Sequence, residues 1–128
     1  MQRSPLTVSL YVPDVAAAVD FYRDVLGFEQ TAAWREGDQP IWSEVAREVP
    51  VGRARIWFFS GELPGRPAPA FTGLIYLFVE DVDAEAKRLE GKVTFRWGPE
   101  DQVYGLRELG IEDPHGYLIC FAKDLSGF

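Results

Sequence analysis

Few side chains in this sequence are of a type that does chemistry alone. His115 is the one imidazole and Cys120 the one thiol. His115 sits in Asp113-Pro114-His115-Gly116, where Pro at i+1 and Gly at i+3 suit a type I turn closing a hairpin. An imidazole at i+2 of such a turn has no metal ligand or base beside it, so a solvated turn residue is expected. A nucleophilic thiol needs a basic neighbour. None falls on the strand face of Cys120, which is therefore expected to be a buried packing thiol. One His and one Cys leave no zinc-finger pattern, and a single Cys excludes an internal disulfide. No phosphate-cradling Gly loop is present either, since GELPGRPAP is a connector. Arg107 and Glu108 alternate across their strand, so one of them can face a cleft. A charged bridge to a neighbouring strand is the ordinary alternative, and Glu44 is open in the same way. No catalytic residue is assigned.

The elements that must position these residues fall into two similar runs. Residues 6–12 are rich in β-formers and read as a strand buried on both faces. Asp14 N-caps a helix and Gly27 closes it, with Ala18, Phe21, Tyr22 and Val25 forming an apolar stripe. Strands are predicted at 28–34, 41–47 and 53–60, separated by the turn-rich REGDQP and VPVG. Residues 61–70, dense in Pro and Gly, cannot continue a sheet ladder and mark a connection. The order then restarts with a strand at 71–79. Asp81 caps a helix that ends at Gly91, with Val82, Ala86 and Leu89 on one face and an Asp83–Lys87 pair on its exposed side. That exposed, charged face is assigned no function. Strands follow at 92–97, 106–112 and 117–122. LYVPDVAAA (10–18) aligns on LFVEDVDAE (77–85), sharing Leu, Val, Asp and Val in order, so the chain reads as two copies of a β-α-β-β-β unit.

Composition bounds what this fold can do. A chain of 128 residues with 47% apolar and 26% charged residues has room for one domain with a sizeable core. Its net charge of −7 repels nucleic acid and anionic membrane surfaces, while a cationic or neutral ligand is easily accommodated. No signal-type apolar run or membrane-span length is seen, so a soluble cytoplasmic protein is expected.

YVPDVAAAVDFYRDVLGFE near the start and YGLRELGIEDPHGYLICF near the end closely resemble the vicinal oxygen chelate superfamily. This group holds glyoxalase I, extradiol dioxygenases, fosfomycin-resistance enzymes and bleomycin-resistance proteins. The resemblance spans nearly the whole chain. It implies an α+β fold of two tandem βαβββ modules, at about 5–62 and 71–123, in one domain spanning 1–128. The modules would form a curved mixed sheet with a concave cleft, and the protein would be a homodimer.

Enzymes of the family hold a divalent metal with His, Gln or Glu at four strand positions. Carried over by the motifs, these fall on Thr7, Trp57, Leu74 and Cys120. One hydroxyl and one thiol do not supply the oxygen and imidazole donors that a labile divalent metal needs. No metal and no cofactor are expected, which matches the metal-free bleomycin-resistance-like branch. Strand alternation from these four positions turns Ser9, Tyr11, Arg55, Phe59, Tyr76, Phe78, Leu118 and Ala122 to the same side. The opposite parity (Val8, Leu10, Ile56, Phe58, Ile75, Leu77, Val79, Ile119, Phe121) is aliphatic or Phe, as a face under helices should be.

The expected ligand-binding set is therefore Ser9, Tyr11, Arg55, Trp57, Phe59, Tyr76, Phe78 and Cys120. An aromatic face with hydroxyl and guanidinium groups suits a flat organic molecule, cationic or neutral, held by stacking and a few hydrogen bonds. Such a row equally suits core packing. Trp34, Trp42 and Trp97 either close the cleft or serve a dimer interface. Two rival readings stand beside metal-free ligand binding. One is a metal-dependent lyase, isomerase or dioxygenase with displaced ligands such as Glu44 or Glu108. The other is a degenerate interaction module whose cleft is plugged by Trp57, Phe59, Tyr76 and Phe78.

Overall fold

The computed structural model describes residues 6–61 and 73–126. Ten elements follow one another as β1 (Val8–Tyr11), α1 (Val15–Asp24), β2 (Glu29–Glu36), β3 (Gln39–Val49), β4 (Gly52–Phe59), β5 (Ile75–Phe78), α2 (Val82–Leu89), β6 (Phe95–Asp101), β7 (Leu106–Glu112) and β8 (Leu118–Asp124). They form two four-stranded sheets ordered β1-β4-β3-β2 and β5-β8-β7-β6. The chain divides into two compact units that follow the two sheets except at residues 49–52, which group with the second, and each sheet with its helix is a βαβββ repeat. In each, the first strand pairs in parallel with the last, Ser9 against Trp57 and Tyr76 against Cys120. No helix among the described residues is long and apolar enough to cross a membrane.

Both helix starts follow from their caps. The side chains of Asp14 and Asp81 accept hydrogen bonds from the amides of Ala17 and Ala84, each at 3.0 Å, satisfying donors that a helix leaves unpaired. The buried stripe of α1 is Val15, Ala18, Val19 and Tyr22, one position round from the expected one, with Phe21 and Val25 at its half-buried margin. The rotation turns the Tyr22 ring onto Phe58 of β4, centroids 4.8 Å apart. Regular helix stops at Asp24. Gly27, at φ +79°, then turns the chain so that the Phe28 amide reaches the Tyr22 carbonyl at 2.9 Å. In α2 the expected Val82, Ala86 and Leu89 are buried. The expected Asp83–Lys87 pair is replaced: Asp83 accepts from Arg107 of β7 at 2.8 Å. Full burial of rings such as Tyr22, Phe58 and Phe121 contributes about 1.5–3 kcal/mol each.

Strand bounds differ from expectation where hairpins are tighter or bulges intervene. β2 and β3 run up to a two-residue turn at Gly37-Asp38, so most of REGDQP lies in strands. The expected strand at 92–97 is shifted to Phe95–Asp101, because a register break between Trp97 and Glu100 carries the ladder past Pro99. β7 has its expected bounds. The connector beyond residue 61 and the start of the strand expected at 71–79 lie outside the described residues.

The hairpin before β8 is held by Asp113, which is buried and whose Oδ1 accepts from the amides of His115 and Tyr117 at 2.9 Å each. His115 is half-buried, not solvated as expected, and its enclosed Nδ1 has no hydrogen-bond partner among the described residues.

Candidate functional site

Burial follows the expected strand parity on β1, β4 and β5, with Val8 and Ile75 only half-buried, but on β8 Cys120 and Ala122 are as buried as Ile119 and Phe121. Leu10, Ile56, Phe58, Leu77, Val79, Ile119 and Phe121 are all core residues, while Tyr11, Tyr76 and Phe78 remain exposed on the other face. What sequence reasoning left open is that each of these other faces is organised around a buried glutamate.

In the first unit that residue is Glu44 of β3, fully buried. Its Oε1 accepts from Thr31 Oγ1 of β2 at 2.7 Å and from Arg55 of β4 at 3.3 Å. Its Oε2 accepts from the Trp57 indole N–H at 2.8 Å. Burial pushes the Glu44 pKa up, but the donors from Thr31, Trp57 and Arg55 outweigh it and hold the carboxyl below its ordinary value. Trp42, two residues before Glu44 on the same strand, meets Trp57 edge to face with centroids 5.2 Å apart. Tyr11 and Phe59, paired in register, make a similar contact at 5.9 Å. Ser9, Tyr11, Arg55, Trp57 and Phe59 are thus brought to one face, with Arg55 committed to Glu44. A groove of about 190 Å³ lies between α1 and the β2–β3 hairpin, with Val19, Arg23, Arg35 and Trp42 in its lining.

In the second unit the corresponding residue is Glu108 of β7, 2% exposed. Its Oε2 accepts from the hydroxyls of Tyr76 at 2.9 Å and Tyr104 at 2.8 Å, and its Oε1 from the Trp97 indole N–H at 3.2 Å. Trp97 reaches it by lying against Gly110, its register partner, where a Cβ would come within 2.3 Å of the indole ring. Burial, then the bond to Glu108, raises the Tyr76 pKa well above the usual phenol value. Tyr76 and Phe78 stack at 6.1 Å with planes 21° apart. Cys120 is fully buried, and its Sγ donates to the Phe121 carbonyl at 3.8 Å. Burial and the neighbouring Glu108 carboxylate push its pKa up to about 12, so the thiol keeps its proton at neutral pH. Arg107, beside Glu108 in sequence, faces the other way, to Asp83 and Asp101, each at 2.8 Å.

Trp42 and Trp97, left open between closing the cleft and serving a dimer interface, join these clusters, and so do Tyr104 and Thr31, which were not expected. For Trp42 the signal was its position two residues from Glu44 on one strand. For Trp97 it was a glycine at 110 on a strand otherwise fit for side chains. Tyr104 lies between β6 and β7, where no periodicity operates.

The metal that such a fold can carry does not fit the residues present. Thr7, Trp57, Leu74 and Cys120 supply one hydroxyl and one protonated thiol. The oxygens of Glu44 and Glu108 are engaged by hydrogen-bond donors, and no three His, Cys, Asp or Glu side chains converge among the described residues.

A family model described as the Glyoxalase/Bleomycin resistance protein/Dioxygenase superfamily matches residues 5–121. Among solved structures, TioX from Micromonospora sp. ML1 is similar with a TM-score of 0.75 and 21% identity, over 96% of this chain and 100% of its own. TnmS3, an antibiotic binding protein from Streptomyces sp. CB03234, has a TM-score of 0.67 and 26% identity, over 97% and 99%. A lactoylglutathione lyase from Agrobacterium tumefaciens has a TM-score of 0.71 and 21% identity, over 99% and 98%. No curated protein sequence matches the chain.

Proposed function

The chain belongs to the Glyoxalase/Bleomycin resistance protein/Dioxygenase superfamily, and from that premise we propose that it captures a small organic molecule without a metal. The observation that carries this reading is the occupancy of the four positions at which metal-dependent relatives bind their ion: Thr7, Trp57, Leu74 and Cys120 leave no donor set for one. What surrounds them is aromatic. In the first unit Tyr11 and Phe59 share a strand face with Ser9, Arg55 and Trp57, and in the second Tyr76 and Phe78 stack on an exposed face; such rings hold flat molecules by stacking. A 26% identical neighbour that is an antibiotic binding protein supports capture as the activity. The net charge of −7 favours encounter with cationic compounds at modest ionic strength. The same reading includes a homodimer, with the exposed Trp34 of β2 as its first candidate contact, and a cytoplasmic location.

Protein purified without chelator, assayed for bound metal and titrated against cationic and neutral aromatic compounds by tryptophan quenching, tests the reading. Substoichiometric metal with saturable quenching is expected. Stoichiometric Fe, Mn, Ni or Zn, or silence across the whole panel, would overturn it.

A further inference from the structure

The two buried glutamates differ in one respect that bears on what the second unit can bind. Glu44 has a guanidinium against it, Arg55 at 3.3 Å. Glu108 has only neutral donors: two phenols and an indole. No Lys, Arg or His forms an ion pair with it among the described residues. A carboxylate this deeply buried without a counter-charge is costly to a fold, and its negative potential is little screened by solvent.

The hydrogen-bond directions add a second constraint. Tyr76 and Tyr104 both bond Glu108 Oε2 through their hydroxyls, and Tyr76 also faces the Tyr104 oxygen; with their protons turned inward, they have only remaining lone pairs to offer a ligand. They are 40% and 59% exposed, and Phe78, stacked on Tyr76, is 42% exposed. A molecule reaching this surface meets hydrogen-bond acceptors and aromatic faces with an anion directly behind them. That combination favours an N–H-bearing cation, by charge-assisted hydrogen bonding and cation–π attraction, and disfavours an anion or an acceptor-only group.

We propose that Tyr76, Tyr104 and Glu108, with Phe78 beside them, form a subsite for the ammonium or guanidinium group of the captured ligand. The inference rests on the ligand-capture reading and narrows it to one ligand chemistry and one place. Glu108 acts from behind the phenols as a positioning charge, not as a direct contact.

The test uses one aromatic body with different head groups: naphthylmethylammonium, its quaternary trimethyl analogue, naphthalenemethanol and naphthoate, each titrated by tryptophan quenching. The ammonium probe is expected to bind roughly tenfold more tightly than the alcohol, as one charge-assisted hydrogen bond implies. The quaternary probe should fall between them and the carboxylate last. Glu108→Gln should bring ammonium and alcohol to within about twofold while the alcohol still binds. Tyr104→Phe, at a position 59% exposed, should lower the preference several-fold if Glu108→Gln does not fold. Asp20→Asn, which removes a charge from the exposed face of α1, should leave the preference unchanged. Equal binding of ammonium and alcohol by the wild type, of ammonium and quaternary probes, or a preference that survives both subsite variants overturns the subsite and leaves capture standing. Failure of every probe to bind overturns capture itself.

Discussion

Trp97 lies against the bare α-carbon of Gly110 and from there donates its indole N–H to Glu108. A methyl group at position 110 would sit 2.3 Å from the ring, and an indole cannot yield that space without leaving its hydrogen bond. Gly110→Ala is therefore expected to destabilise the protein by about 1–3 kcal/mol, the usual cost of overpacking, and to change the tryptophan emission. Thermal denaturation with fluorescence detection checks both. A variant with wild-type stability and emission would mean the indole is not seated there.

Arg55 and Glu44 make the buried ion pair of the first unit. Arg55→Met leaves Glu44 in place without its cation, and stranding one partner of such a pair typically costs about 3–5 kcal/mol. The sign of the pH effect follows from the Glu44 pKa, which folding lowers. Its stabilisation is present above the unfolded carboxyl value and is lost as pH falls through the folded one. Without Arg55 the folded value rises, so the variant should begin to lose this contribution at a higher pH than the wild type. Urea denaturation across the acidic range gives the comparison.

Cys120 and Tyr76 set the behaviour at the alkaline end. Both have folded pKa values raised above their ordinary ones, by burial first, with Cys120 at about 12 against 9.0 unfolded. Well below pH 9 both groups keep their protons in either state. As pH rises further the unfolded chain loses these protons more readily, so stability should fall from about pH 9 upward. The native thiol should correspondingly resist a thiol-disulfide reagent at pH 8 and react fully once the protein is unfolded in urea. Rapid modification of the native protein would contradict the burial of Cys120.

Asp113 holds the turn before β8 through one carboxylate oxygen that accepts two backbone N–H groups. Asp113→Ala strands both donors in a buried corner, and an expected loss of about 1–3 kcal/mol follows from unsatisfied buried groups. Asp113→Asn keeps an acceptor oxygen and should recover much of it. Equilibrium unfolding of the pair checks the order.

Much of the fold was legible because it is written in local rules. Asp14 and Asp81 are caps by chemistry and position, and the repeat of 10–18 in 77–85 located the second unit. Strand alternation separated Phe58, Leu77 and Phe121 from Tyr76 and Phe78. The α1 stripe was misplaced by one position because Val15 and Val19 compete with Phe21 and Val25 for the same core, and only tertiary packing decides between them. β6 was misplaced because local β-propensity does not show that a register shift between Trp97 and Glu100 carries the ladder past Gly98 and Pro99. The glutamate hubs were the least legible. Alternation says which face Glu44 and Glu108 occupy, but not that Thr31, Trp57, Tyr76, Trp97 and Tyr104 converge on them from other strands and a loop.

The claim that capture needs no metal is tested most directly by measuring the affinity of one quenching aromatic ligand before and after exhaustive chelation, and again after adding back Mn, Zn, Ni or Fe(II). The account predicts the same dissociation constant in all three states. Binding abolished by the chelator and restored by one of those ions would contradict it.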